Sequence, residues 1–173
     1  TVYYGEGNCI IERDTKTVVV GCKTSAIPSD VLRIGNYAFD GCRDIATMTI
    51  PNGVISIGSY AFDYCYELTT MEIPASVTSM GRGVFSGCFG IENLSVASGN
   101  TTYYSESNCI IERETKTLVN GCKTSVIPAD ILHIGDYAFN GMLCDSRLTF
   151  NTIADISLVI PASVVSIGSC AFQ

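Results

Sequence analysis

The chain has 173 residues, 10 basic against 17 acidic side chains and a net charge of −7. That acidic balance, with no basic patch, argues against a nucleic-acid or anionic-membrane partner, because both require phosphate to be neutralised. No apolar run approaches the roughly 20 residues that span a bilayer, so this segment is not expected to insert into a membrane.

In chain order, the first predicted element is a β-hairpin over residues 9 to 20, where two β-branched runs flank a polar turn. From Ile27-Pro28 onward a short repeat sets in: Ile27-Pro28, Ile50-Pro51 and Ile73-Pro74 recur every 23 residues, and so do Cys42, Cys65 and Cys88. A period of about 20–50 residues marks a solenoid, in which each coil packs only on its neighbours. One unit, Leu68 to Cys88, reads L-x-x-M-x-I-P-x-x-V-x-x-M-G-x-x-x-F-x-x-C. Thr70-Met71-Glu72-Ile73 alternates polar and apolar, the period of a strand with one buried face. Pro74 ends that strand for lack of an N–H donor. Gly81 is expected to supply a turn, and the stretch around Phe85 to return along the far side as a turn or short helix. Stacking the coils puts Phe39, Phe62, Phe85, Phe139 and Phe172 in one column, with Ile50, Ile73, Val96, Ile127 and Ile160 in another.

Between Ile91 and Cys122 the unit is interrupted by Tyr103-Tyr104 and a second hairpin, Cys109 to Val119, expected like the first to project from the solenoid. It belongs to a longer repeat of 100 residues: Tyr3 to Cys42 returns as Tyr103 to Met142 with 28 of 40 positions identical. From Ile127 to Ile160 the spacing is 33 residues instead of 23, so ten extra residues lie within Leu143 to Ile156. The expected organisation is a single solenoid over residues 1–173, with super-repeats 1–100 and 101–173. It opens inside the long repeat and closes inside the short one, as a fragment of a longer protein would.

Nine cysteines, separated by 13, 20, 23, 23, 21, 13, 22 and 26 residues, contain no Cys-x-x-Cys motif, which excludes zinc ribbons and thioredoxin-like sites at the motif level. Cys22 and Cys122 fall in the inward column of Ile45, Leu68 and Ile91 and read as small core residues. Free buried thiols are the expected state. A bridge across each hairpin, Cys9 to Cys22 and Cys109 to Cys122, is the rival reading, open to an extracellular protein.

The run Ile-Pro-x-x-Val-x-x-Ile-Gly-x-Tyr-Ala-Phe-x-x-Cys at Ile50 to Cys65, together with the Asn108-Cys109-Ile110-Ile111-Glu112 to Gly121-Cys122-Lys123 unit, resembles the BspA-like class of leucine-rich repeat proteins. The resemblance covers essentially the whole chain. It implies an α/β, mostly β, right-handed leucine-rich-repeat solenoid with a parallel concave sheet and an irregular or short-helical convex side, here with two β-hairpin units added. It also implies a secreted or cell-surface protein, commonly bacterial, with adhesion or host-interaction roles, although fold alone does not fix function. The chain departs from the class pattern at Asp155, Ser25 and Ser125.

Little in the chain points to catalysis. His133 is the single histidine, and it shares its repeat position with Arg33, Ser56, Ser79 and Ser166, a polar column expected on the outside of a turn. No triad or histidine-rich metal site can be built except through that one residue. No cofactor is expected. The outward strand positions form the columns Thr24, Thr47, Thr70, Asn93, Thr124, Ser157 and Ala26, Thr49, Glu72, Ser95, Val126, Val159. Stacked hydroxyls serve either a ligand or the strand preference of threonine itself, and Glu72 and Val126 break the flat array an ice-binding face would need. Thr47, Thr49, Thr70, Glu72, Asn93 and Ser95, with Glu112, Arg113 and Lys116 on the hairpin, are the candidate partner-binding residues. Tyr37, Tyr60 and Tyr137, at a repeat position that also takes Gly83 and Cys170, read as half-exposed packing residues; Tyr64 and Tyr66 read first as plain convex-surface packing, with protruding contact residues as the rival reading. Asn93-Leu94-Ser95 and Asn100-Thr101-Thr102 fit the glycosylation sequon. The expected role is interaction or adhesion with a protein or glycan on another cell, the alternative a spacer that presents another domain. Self-association through the C-terminal coil of Ile167 and Phe172, or a strong dependence on sequence beyond Gln173, is expected.

Overall fold

The structure is a computed structural model and describes residues 2–142 and 158–173. Its strands in chain order are β1 Tyr3–Glu6, β2 Cys9–Glu12, β3 Thr17–Val20, β4 Arg33–Ile34, β5 Ser56–Ile57, β6 Thr70–Ile73, β7 Ser79–Met80, β8 Asn93–Val96, β9 Tyr103–Glu106, β10 Cys109–Glu112, β11 Thr117–Asn120, β12 His133–Ile134 and β13 Ser166–Ile167. Each coil runs along three sides. The ten-residue surplus between Leu143 and Ile156, Asp155 and Ser157 all lie outside the described residues.

On the first side β6 and β8 pair in parallel, Thr70 opposite Asn93 and Glu72 opposite Ser95, and Thr47 bridges to Thr70. The alternation read from the sequence holds: Met71, Ile73 and Leu94 are buried, while Thr70, Glu72 and Asn93 face solvent. The second side differs from its expectation. Arg33, Ser56 and Ser79 do not lie on a turn but on the parallel ladder β4-β5-β7, and His133 and Ser166 on the ladder β12-β13. Their neighbours Ile34, Ile57 and Ile134 point into the core.

The third side carries the phenylalanine column. Phe39, Phe62, Phe85 and Phe139 are fully buried, and Phe39–Phe62, Phe62–Phe85 and Phe139–Phe172 stack with centroids 5.1, 5.7 and 5.4 Å apart. No helix forms there among the described residues, which corrects the short-helical option. The reason is in the backbone. Tyr37, Phe39 and Gly41 donate their N–H groups to the next coil, at Ser59, Ala61 and Asp63, while Ala38, Asp40 and Cys42 donate three residues back within their own coil. Tyr37 and Gly41 hold φ of 58° and 69°, which resets the chain at each turn and cannot continue a right-handed helix.

Gly81 also serves differently from the expectation. It is not among the positive-φ glycines; instead a Cβ there would lie 2.4 Å from the Ser59 backbone nitrogen, so its role is close approach of adjacent coils.

The hairpins do not project. β1, β2 and β3 form an antiparallel meander, and β3 then pairs in parallel with β4, Val18 opposite Ile34. β9, β10 and β11 repeat this against β12. Ile11, Val18, Ile111 and Leu118 are fully buried, so each meander is part of the second wall. Two sheets result, β1-β2-β3-β4-β5-β7 and β13-β12-β11-β10-β9, beside the pair β6-β8.

Candidate functional site

Six of the nine candidate residues lie on the first wall. Thr47, Thr49, Thr70 and Glu72 line one open groove of about 440 Å³ with Asn52 and Pro74 in its walls. Asn93 and Ser95 continue the same two columns in the next coil. Parallel pairing without register shift is what aligns them, since it repeats each outward position at strand spacing. The groove therefore offers threonine hydroxyls, an amide and the carboxylate of Glu72. Further along, the wall is tied rather than open: Thr124 Oγ1 donates to the Glu92 carbonyl at 2.6 Å, and Lys123 Nζ lies 2.9 Å from the Glu92 carboxylate.

The other three candidates are elsewhere and are engaged. Lys116 Nζ sits 2.8 Å from Asp130 and donates to the Tyr104 hydroxyl at 3.2 Å. Arg113 packs over the Tyr104 ring at 5.0 Å and donates from Nε to the Asn100 carbonyl at 3.3 Å. Glu112 accepts from Thr115 Oγ1 at 2.5 Å. The Asp130 carboxylate, then the Tyr104 hydroxyl, raise the Lys116 pKa above its ordinary value, and Lys116 lowers that of Asp130. The first super-repeat reproduces this clamp with Lys16, Asp30 and Tyr4. Glu112, Arg113 and Lys116 thus fasten the meander to its own coil, on a different wall from Glu72. His133 is likewise a ladder residue, its Nδ1 2.7 Å from Ser166 Oγ.

On the turn side, Tyr37 stacks on Tyr60 at 5.2 Å, and Tyr137 meets Tyr60 edge-on at 5.2 Å. Tyr66 stacks on Phe89 at 5.1 Å beneath Arg43 as a packing residue, while Tyr64 is exposed. Tyr37, Tyr60, Tyr64 and Tyr137 all have φ between 55° and 59°. Sequence reasoning overlooked this left-handed backbone, and its signal was the Gly83 that alternates with tyrosine at one repeat position.

It also overlooked Asn100. Its amide nitrogen donates to the Pro74 and Val77 carbonyls, each at 2.9 Å, and its oxygen accepts from the Thr102 and Tyr103 amides at 2.9 and 2.7 Å. This buried clasp joins the third coil to the second meander. With both ends of its side chain committed, the Asn100 sequon is closed to modification in the folded chain, whereas Asn93 is exposed.

The eight described cysteines are free. Cys65 and Cys88 are buried and their thiols reach the carbonyls of Phe39 and Phe62 at 3.3 and 2.9 Å. Cys122 is buried as expected, whereas Cys22 is exposed.

Short repeats stacked wall on wall define a leucine-rich-repeat solenoid. The chain belongs to the BspA-type leucine-rich repeat family, whose repeat matches residues 20–142 in six copies. Among solved structures it is similar to the pneumococcal vaccine antigen PcpA, with 16% identity and a TM-score of 0.59 over 83% of this chain and 40% of that one. It is also similar to a leucine-rich repeat protein from Eubacterium ventriosum, with 17% identity and a TM-score of 0.50 over 90% of this chain and 51% of that one. At these identities the likeness concerns the fold, and the chain spans only about half or less of either protein. No curated protein matches it.

Proposed function

We propose that the chain is a non-catalytic interaction or adhesion module of a secreted or cell-surface protein, and that the groove of Thr47, Thr49, Thr70 and Glu72 is where its partner binds. The observation that carries this reading is the open groove itself, whose Glu72 carboxylate has no bonded partner among the described residues while the acidic residues Glu92 and Asp44 at the coil edges are paired. A surface of hydroxyls around one free carboxylate suits a hydroxyl-rich or cationic ligand, a glycan or a basic protein loop on another cell. Membership of a repeat family supports an interaction role, since stacked repeats make extended binding surfaces. Likeness to a vaccine antigen supports an exposed location.

The test is capture of partners on a glycan array and by pull-down, comparing the natural chain with Glu72→Lys, Thr70→Lys and Arg33→Glu. Glu72→Lys and Thr70→Lys are expected to abolish capture, and Arg33→Glu, on the second wall, to leave it intact. The opposite ranking moves the site to the second wall. Reversal of Arg113 is a poor probe, because it breaks the Tyr104 clamp.

A further inference from the structure

The two ladders of the second wall share one backbone pattern and differ in charge. In the first, β4, β5 and β7 carry Arg33, Ser56 and Ser79 side by side. With Asn36 and Ser59 at the adjoining turns they line a shallow groove of about 460 Å³ across three successive coils. No acidic side chain lines it, and Arg33 is its one cation.

Arg33 is also placed unlike any other described basic residue. The four described lysines each meet a carboxylate, and the other four described arginines each lie over a tyrosine ring. Among the described residues Arg33 meets neither. It is exposed, and its Nη1 makes one long contact, donating to Ser56 Oγ at 3.4 Å. In a chain of net charge −7, this guanidinium stands ready for an anion that the protein itself does not supply.

The long repeat shows that the coil does not require this charge. Its second copy has His133 for Arg33 and Asp136 for Asn36, and His133 pairs with Ser166 in the same parallel register as Arg33 with Ser56. Asp136 Oδ1 accepts from the Ser169 amide at 2.8 Å, as Asn36 Oδ1 accepts from the Ser59 amide at 2.8 Å. The ladder thus forms without the guanidinium and with a carboxylate in place of the amide.

We propose that the Arg33 groove is a second ligand site, for an acidic sugar. The carboxylate or sulfate of the sugar takes the guanidinium in a two-pronged contact, and its hydroxyls bond to Ser56, Ser59, Ser79 and the Asn36 NH2 group. A sugar fits better than an acidic peptide. The amides of Gly35, Gly58 and Gly81 along the groove already donate to Val18, Ile34 and Ile57, so a peptide finds no open strand edge to pair with. The site shares no lining residue with the Glu72 groove and has the opposite charge, so it stands independently of that reading.

Titration of the chain with sialyllactose, sulfated lactose and a glutamate-rich peptide, each against neutral lactose, tests this by calorimetry. One or both acidic sugars are expected to bind about tenfold or more tightly than lactose, the difference a charge-assisted contact makes, and added salt should shrink that preference. Whichever of the two is preferred names the anionic group. Arg33→Gln should abolish the preference and Asn36→Asp should weaken it, both with an unchanged thermal melt. Glu72→Gln should leave it intact, just as ligands of the Glu72 groove should be indifferent to Arg33→Gln. Equal binding of lactose and both acidic sugars overturns the proposal, as does a preference that survives Arg33→Gln or is lost with Glu72→Gln. Binding of the peptide in place of the sugars overturns it in favour of an acidic protein segment.

Discussion

Two buried polar side chains set measurable costs at the scale of the residue. Asn120 is buried with neither end of its amide bonded within the described structure, where the first super-repeat has Val20. A buried amide without partners costs about 1–3 kcal/mol, so Asn120→Val is expected to stabilise the chain by about 1–2 kcal/mol in urea titrations. Destabilisation would mean that the amide is bonded after all. Asp63 is buried with Oδ1 unpartnered; burial first, and then the nearby Asp40 carboxylate, push its pKa up to about 6, against a hydrogen bond from Ser86 that lowers it. The native state therefore keeps a proton that the unfolded chain has already lost, and the contribution to stability falls as pH rises through about 6. Asp63→Asn, which keeps the neutral shape, should raise the urea midpoint at pH 8 and change it little near pH 4. An equal effect at both pH values would show that ionisation is not the cause. The tyrosines at positive φ work against an intrinsic preference of about 1–2 kcal/mol each, which the stacking of Tyr37 on Tyr60 and Tyr137 on Tyr60 helps to offset.

Among the elements, the longer strands were legible and the shorter ones were not. Thr70 to Ile73 runs for two full alternations, enough to show its period, and its register with Asn93 to Val96 followed from the 23-residue spacing. The second wall uses strands of two residues, too short for any periodicity, so Arg33 and His133 read as turn residues. The meanders looked like projections because their pairing across to β4 and β12 is set by the whole coil and not by local pattern. In the phenylalanine segment, helix and serial turns share the same apolar spacing, and only the left-handed positions separate them. The column assignment makes a sharp contrast: Phe62→Ala should cost about 3–5 kcal/mol as a large buried truncation, while Thr70→Ala on the exposed face should stay within about 0.5 kcal/mol. Equal costs in denaturant melts would refute the coil register.

For the whole molecule, the wall that holds Thr47, Thr70 and Glu72 could be assembled from spacing alone, because parallel coils repeat outward positions faithfully. The separation of Arg113 and Lys116 from that wall could not, since it depends on Tyr104, Asn100 and Asp130 meeting in space. The central claim is that one 40-residue motif folds twice to the same meander and parallel ladder, with its equivalent cysteines in different surroundings. Site-resolved thiol labelling of dilute native protein, read by mass spectrometry, tests it most directly. Thr24, by hydrogen bonding, holds the exposed Cys22 thiol below its ordinary pKa, whereas burial raises Cys42 to about 11 and Cys109 to about 12. Thiolate is the reactive form. The prediction is rapid labelling of Cys22, slow labelling of Cys42, and protection of Cys65, Cys88, Cys109 and Cys122, with all nine cysteines reacting once the unreduced chain is unfolded in guanidinium. Equal labelling of Cys22 and its twin Cys122, or a peptide joining Cys9 to Cys22, would contradict the account.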